Sequence, residues 1–324
     1  MNRLTVAVLR GGPSREYDVS LKSGAAILRA LTDHGSYTPR DIFIDRAGQW
    51  HRSGAPTTPA QALSQADVVF NALHGEYGED GSVQHTLDTL GVPYTGSGTF
   101  ASSIAFNKDS AKQALKKLDI RMPRGIVVRR ADVEDGVEDY ALDLFRSFHM
   151  PVIIKPLVGG SSIGVMLVTH FDALVEGLRS SLQSSSAVLV EEYIRGREAT
   201  VGVIDGFRGE RRYALPPVEI IPPEGSVFFD HHAKYSGESI EQCPGKFGGQ
   251  DKYELMDLAR RVHEGLDLSH YSRSDFIVTK RGIYFIEANT LPGLTEESLL
   301  PKALAAVGSS LPEFLEHVIT LAQK

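Results

Sequence analysis

Arg273-Ser274-Asp275-Phe276-Ile277-Val278, a turn at Arg281-Gly282, and the return Ile283-Tyr284-Phe285-Ile286-Glu287-Ala288-Asn289-Thr290-Leu291-Pro292-Gly293 form the stretch from which the fold is read. Side chains alternate across a strand, so Arg273 and Asp275 share one face, as do Glu287 and Asn289. All four are polar within otherwise apolar strands. Two carboxylates, an amide oxygen and a guanidinium on paired strands supply oxygen ligands for a hard cation and a fixed fork for a phosphoryl group. A buried ion-pair ladder is the plainer reading. The turn that follows, residues 290–293, favours the functional one because it offers backbone N–H groups beside the same cluster.

Working outward, the 324 residues exceed one comfortable core and imply two or three domains, and 42% hydrophobic with 23% charged residues is ordinary for a globular protein. The net charge of −7 argues against a nucleic-acid partner or an anionic membrane surface, both of which select a basic face. The apolar run at residues 4–9 is too short for a signal-peptide core, and no stretch reaches the length of a membrane span. A cytoplasmic protein is expected. One cysteine, Cys243, excludes an intrachain disulfide framework and a thiolate zinc site.

Residues 4–9 read as a buried strand running into Gly11-Gly12-Pro13-Ser14, followed by a helix from about Ser20. Strand signals at 41–44 and 68–71 and a helix at 82–90 continue an alternating pattern of the parallel-sheet kind. A first unit therefore ends near residue 95. Helices through Phe106 and over 110–118 lead to strands at 125–128, 152–155 and 165–168, a helix at 172–182 and a strand at 188–191, an α+β pattern. Strands at 198–203, 213–220, 273–279 and 283–288, with a helix over 252–265 and two near the end, make up the remainder.

Two glycine-rich segments compete as a nucleotide site. Gly96-Ser97-Gly98-Thr99-Phe100-Ala101 matches a degenerate dinucleotide fingerprint, with Asp119 as a ribose partner, but it follows a barely formed strand far from the first βα turn. Lys155-Pro156-Leu157-Val158-Gly159-Gly160-Ser161-Ser162-Ile163-Gly164 lies between two strands and offers N–H groups, two hydroxyls and a lysine to phosphates. No P-loop motif is present.

Taken in order, His74-Gly75 with Gly78-Glu79-Asp80-Gly81, Tyr94-Thr95-Gly96-Ser97-Gly98, Lys155-Pro156 with Gly160-Ser161-Ser162-Ile163-Gly164, and Glu287 through Thr295 resemble the D-alanine–D-alanine ligases, a family of ATP-grasp enzymes. The resemblance runs from Val6 to the last helix. It implies an α/β and α+β chain of three-domain ATP-grasp architecture: an N-terminal α/β substrate-binding domain with a parallel sheet (1–95), a central ATP-grasp domain (96–186) and a C-terminal ATP-grasp domain with the catalytic and metal residues (187–324). ATP would sit between the second and third, and the Gly96 segment becomes an interdomain connection.

The resemblance also implies roles. Lys108, Lys155 and Ser162 would meet the ATP phosphates, Glu191, Glu192, Tyr193 and Ile194 the adenine, and Glu198 the ribose hydroxyls. Asp275, Glu287 and Asn289 would hold two Mg²⁺ ions, with Mn²⁺ able to substitute. Arg273 and the Gly293 N–H would steady the acyl phosphate and the oxyanion of the tetrahedral intermediate. Glu16 would take the ammonium of the first D-alanine, in a hydrogen-bonded group with Ser161 and Tyr235; His74 would lie near that substrate, with Lys234 also at the substrate site. Ser298 would meet the carboxylate of the second. The implied partners are D-alanine, ATP and a second copy of the chain in a homodimer.

The chain departs from the family pattern in three places. Gly159 replaces an acidic residue, which predicts a more mobile loop. His231 and His232 enter the lid sequence and predict pH-sensitive closure. Glu297 replaces a histidine before Ser298 and predicts weaker hold on the second carboxylate.

The expected activity is ATP-dependent joining of two D-alanines for peptidoglycan precursors. A ligase with another second substrate, such as a D-hydroxy acid, is the nearest alternative; a nucleotide-binding relative without chemistry and an NAD-dependent oxidoreductase are more distant ones.

Overall fold

Val6, Ala7, Val8 and Leu9 are fully buried in succession along β1 (Leu4–Gly11), as a strand covered on both faces requires. In the computed structural model, which describes residues 3–160, 164–223 and 239–324, β1 lies between β2 (Tyr37–Ile44) and β5 (Val68–Asn71), parallel to both. Beyond β2 the sheet continues antiparallel through β3 (Trp50–Arg52) and β4 (Ala55–Thr57). The expected parallel sheet is thus the centre of a mixed one. Three-residue strands are too short to show a period, which is why the sequence pattern does not reveal them. α1 (Tyr17–His34) starts three residues before Ser20 and stops at Gly35, whose φ of 74° is the left-handed cap glycine tolerates. α2 (Pro59–Leu63) and α3 (Ser82–Leu90) complete the first unit.

α4 (Thr99–Phe106) and α5 (Lys108–Leu115) follow. The Asn107 side chain caps α5 by accepting from the N–H groups of Asp109 at 3.1 Å and Ser110 at 3.0 Å, which fixes where Lys108 begins the helix.

The second sheet is antiparallel, in the order β6 (Gly125–Arg129), β9 (Ala187–Glu192), β7 (Val152–Pro156), β8 (Met166–Val168). α6 (Val137–Ser147), which the pattern reading does not reveal, and α7 (Phe171–Ser184) cover one face around Leu144, Ile154 and Leu178. A boundary at 186/187 would remove β9, an interior strand of this sheet.

The third sheet runs β13 (Ile240–Gln242), β12 (Val218–Ile221), β10 (Arg197–Asp205), β14 (Tyr271–Thr279), β15 (Gly282–Asn289), with β11 (Arg212–Ala214) also on β10. The expected single strand over 213–220 breaks at Pro216-Pro217, which have no N–H for the ladder. On one face α4, α5 and α8 (Gly249–Gly265) pack Ala105, Leu115 and Leu255 onto Val201, Phe276 and Phe285. On the other, α9 (Leu299–Ala306) and α10 (Leu311–Ala322) bring Leu300 and Phe314 against Ile204 and Tyr271 and against Val6, Val8 and Phe70 of the first sheet. The first and third sheets therefore share a core, and their adjoining ends are fixed relative to one another. Among the described residues no helix is long and apolar enough to cross a membrane.

Candidate active site

β14 and β15 pair so that Arg273 faces Asn289 and Asp275 faces Glu287, and the regular register ends in a bulge between Asp275 and Phe276. Bulges re-aim side chains, and this one lies where the polar pair stands. Arg273 Nε and Nη2 donate to the two oxygens of Asp275, each at 2.9 Å. Thr200, the register partner of Asp275 on β10, donates to Asp275 Oδ1 at 2.6 Å. Burial works against the Arg273 charge, but Asp275, Glu287 and Glu79 outweigh it and hold the guanidinium firmly cationic.

Lysines form the facing wall. Lys108 Nζ donates to Gly159 O at 2.6 Å and lies 3.4 Å from Glu287 Oε2. Lys155 Nζ is 2.6 Å from Glu191 Oε2, and Lys112 Nζ pairs with Glu191 Oε1. Glu191 is 2% exposed. A carboxylate that buried costs several kcal/mol to desolvate, so two ammonium partners are what makes the position tenable. The two walls enclose a cleft of about 640 Å³ whose lining includes Glu16, Lys108, Lys155, Arg273, Asp275 and Glu287.

Glu191, Glu192, Tyr193, Ile194 and Glu198 all line this cleft. Their inner arrangement differs from the expected hinge. The Glu191 carboxylate is committed to lysines, Glu192 Oε1 accepts from Arg124 N–H at 3.0 Å, and the N–H groups of Glu192 and Tyr193 bond Arg124 O and Pro151 O.

At the first-sheet end, Glu16 stands at the start of α1, its N–H donating to Ser14 Oγ at 2.8 Å. Glu79 lies beside it, accepting from Gly75 N–H at 2.9 Å and from Leu291 N–H. Burial and the neighbouring Glu16 charge push the Glu79 carboxyl up to about 8, against the pull of Arg273. Gly293 adjoins Ser298: a Cβ on Gly293 would stand 2.7 Å from Ser298 Oγ. That hydroxyl accepts from Thr295 N–H at 3.2 Å and pairs with Thr295 Oγ1 at 2.8 Å. Both ring nitrogens of His74 are bonded within the protein, to Ser23 Oγ and Leu291 O at 2.8 Å each, rather than left for the first substrate.

Of the departures, Gly159 has φ +105°, a conformation an acidic residue would adopt only under strain, so this loop follows a glycine-specific path. The Glu297 carboxylate, 91% exposed, turns to solvent, where its charge is screened, and lies 3.4 Å from Lys302. Ser161, Ser162, Lys234, Tyr235, His231 and His232 lie outside the described residues.

Three contributors escape the sequence reading. Lys112 follows Lys108 by one helical turn, a spacing that puts both on one face of α5. Thr200 follows Glu198 by two residues, the spacing of one strand face. Glu79 stands inside a motif already noted, and only its burial beside Glu16 reveals it.

Asp275, Glu287 and Asn289 offer two carboxylates and an amide oxygen next to three cationic side chains. That donor set fits a divalent cation that draws its remaining ligands from phosphate oxygens and water. Among the described residues no three of His, Cys, Asp or Glu gather around one point.

Residues 114–320 match the family model described as D-ala D-ala ligase C-terminus, and residues 5–62 and 53–97 match D-ala D-ala ligase N-terminus. A D-alanine–D-alanine ligase of Syntrophotalea carbinolica is 39% identical over 317 residues, covering 97% of this chain and 94% of that protein. Among solved structures, the VanG D-Ala:D-Ser ligase of Enterococcus faecalis superposes with a TM-score of 0.86 at 27% identity, covering 99% of this chain and all of that one. The D-alanyl-alanine synthetase A of Vibrio cholerae superposes with a TM-score of 0.85 at 28% identity, over 100% and 99% of the two chains.

Proposed function

The chain belongs to the D-alanine–D-alanine ligase family, and we propose how its cleft divides the work of joining two D-alanines at the expense of ATP. The observation that carries the proposal is the placement of Arg273, Asp275 and Glu287 on one wall of the cleft, with Asn289 the register partner of Arg273, and of Lys108 and Lys155 on the other.

ATP lies along the cleft with adenine toward Tyr193 and Ile194, the ribose hydroxyls on Glu198, and the phosphates between Lys108 and Lys155. Two Mg²⁺ ions, or Mn²⁺ in their place, held by Asp275, Glu287 and Asn289, would neutralise phosphate charge. Glu16 takes the ammonium of the first D-alanine, and the carboxylate of that substrate attacks the γ-phosphorus to give an acyl phosphate and ADP. The neutral amine of the second D-alanine then attacks the acyl carbon. Arg273 and the Gly293 N–H hold the oxyanion that forms, Ser298 holds the second carboxylate, and phosphate departs as the carbonyl closes. Bringing three reactants into one cleft supplies much of the rate by orientation alone.

Since the amine must be neutral to attack, dipeptide synthesis rises with pH through the range where the bound ammonium loses its proton. We also infer that the enzyme works in the cytoplasm, where its product would enter peptidoglycan precursors, and as a homodimer, with a first unit ending at residue 95. Phosphate release with ATP, Mg²⁺ and a panel of D-amino acids, L-amino acids and D-hydroxy acids tests the function. Release with D-alanine and recovery of the dipeptide is expected. Release dependent on a D-hydroxy acid, giving mostly depsipeptide from an equal mixture at neutral pH, would overturn the second-substrate assignment.

A further inference from the structure

We infer that His74 is a positioning residue that sets the backbone of the turn carrying the Gly293 N–H, a role that rests on the assignment of that N–H to the oxyanion. His74 is 5% exposed, and its ring lies between two groups far apart in sequence. Nδ1 stands 2.8 Å from Leu291 O. A carbonyl only accepts, so Nδ1 carries a proton and donates. Nε2 stands 2.8 Å from Ser23 Oγ, and that hydroxyl accepts from Leu294 N–H at 3.4 Å. A neutral imidazole with its proton on Nδ1 keeps a lone pair on Nε2, so the Ser23 hydroxyl, which accepts from Leu294 and still has its own O–H to give, donates to Nε2. The imidazole is therefore the Nδ1–H tautomer, and a directional chain runs from Leu294 N–H through Ser23 and His74 to Leu291 O.

The two ends of that chain flank Pro292 and Gly293, so it fixes the turn on both sides of the proposed oxyanion donor. The remaining polar group of Leu291 is held too: its N–H is shared between Asn289 Oδ1 at 3.0 Å and Glu79. The loop that presents His74 and Glu79 is itself anchored, since Gly78 O accepts from Asn71 Nδ2 at 3.2 Å and Gln84 Nε2 at 2.7 Å. Ser23 is fully buried on α1. The first unit thus holds the catalytic turn of the last unit by side-chain to backbone bonds made on either side of Gly293. A donor aimed at a developing charge loses value steeply with misplacement, so a backbone shift of about 1 Å costs about a hundredfold in rate.

The experiment has two arms. In the ligand-free full chain labelled with ¹⁵N-histidine, with the His74 signals assigned by their loss in His74→Asn, Nδ1 is expected protonated and Nε2 unprotonated; an Nε2–H tautomer would overturn the inference. In steady-state assays, His74→Gln, which cannot place a donor at the Nδ1 position, is expected to lower kcat about a hundredfold while the KM for the first D-alanine changes by less than about threefold. His74→Asn puts its amide nitrogen where Nδ1 was and is expected to restore about a tenth or more of the lost rate. A raised KM for D-alanine with kcat retained in both variants would make His74 a substrate ligand and sink the positioning role. Should His74→Gln fail to fold, the Asn variant and the tautomer decide. Absence of ligase activity in the unsubstituted enzyme would remove the functional reading and leave the tautomer result standing.

Discussion

Asp275 and Glu287 face one another as register partners across β14 and β15, yet each is bound to its own cation, Asp275 to Arg273 and Glu287 to Lys108. Two like charges on neighbouring strands repel, and the structure relieves this by giving each a partner from a different direction. A bridging cation would do the same once substrate arrives.

Replacing Glu287 by Gln should therefore cost activity far more than stability. Turnover should fall by about two orders of magnitude or more, because the cation site loses a charge. The melting temperature should fall modestly, since Lys108 loses its carboxylate partner while the repulsion with Asp275 is relieved. Phosphate release at saturating Mg²⁺, beside a thermal melt, checks both halves. Near-normal turnover would remove Glu287 from the metal site.

Lys112 tests the facing wall. With Lys112→Met, Glu191 keeps only Lys155 as a partner, and that lysine is withheld from phosphate. The KM for ATP should rise about tenfold, equivalent to ~1.4 kcal/mol, while the KM values for D-alanine stay near normal. Lys112→Arg should recover much of the loss. An unchanged ATP KM in the Met variant would reduce Lys112 to packing.

Adding one methyl group at Gly293 probes the second-substrate side. The new Cβ would stand 2.7 Å from Ser298 Oγ, so that hydroxyl must move away from its bonds to Thr295. Gly293→Ala should raise the KM for the second D-alanine and lower kcat, with ATP binding unaffected. If the KM values of both substrates and kcat all stayed at their original values, Gly293 and Ser298 would not form part of the site.

Glu79 gives the pH dependence. Its carboxyl titrates near 8 in the folded chain against 4.5 for an ordinary glutamate, so between those values the folded state binds more protons than the unfolded one. Stability must then fall as pH rises through that interval and level off above it. Glu79→Gln removes this contribution: the difference in melting temperature between variant and parent should shift in the variant's favour from pH 5 to pH 8. A difference that stays constant with pH would mean the carboxyl is ionised throughout.

The polar face of β14 and β15 was legible in the sequence because alternation and a tight turn leave little freedom in a hairpin. The central strands of the first sheet were legible for a similar reason, being short apolar runs bounded by glycine. Glu191 lines the cleft, but its lysine partners are not legible in the sequence: nothing local says that a carboxylate on β9 will meet a lysine on α5, since the two are joined only by tertiary packing. His74 likewise carried the mark of a functional residue, but its partners lie on α1 and beyond β15. The proline pair at 216–217 divides the expected strand into two, and that signal is itself in the sequence.

α4 and α5 rest on strands made much later in the chain, with Ala105 and Leu115 packed on Phe276 and Phe285. A growing polypeptide therefore releases the helix bearing Lys108 and Lys112 well before the surface that supports it exists. Until β14 and β15 emerge, the apolar side of that helix lacks the strands it rests on and Lys108 lacks Glu287. Such distant pairings are slow to form, so nascent chains cut short before residue 270 should be held by chaperones or degraded, and the nucleotide cleft should be among the last parts of the molecule to mature.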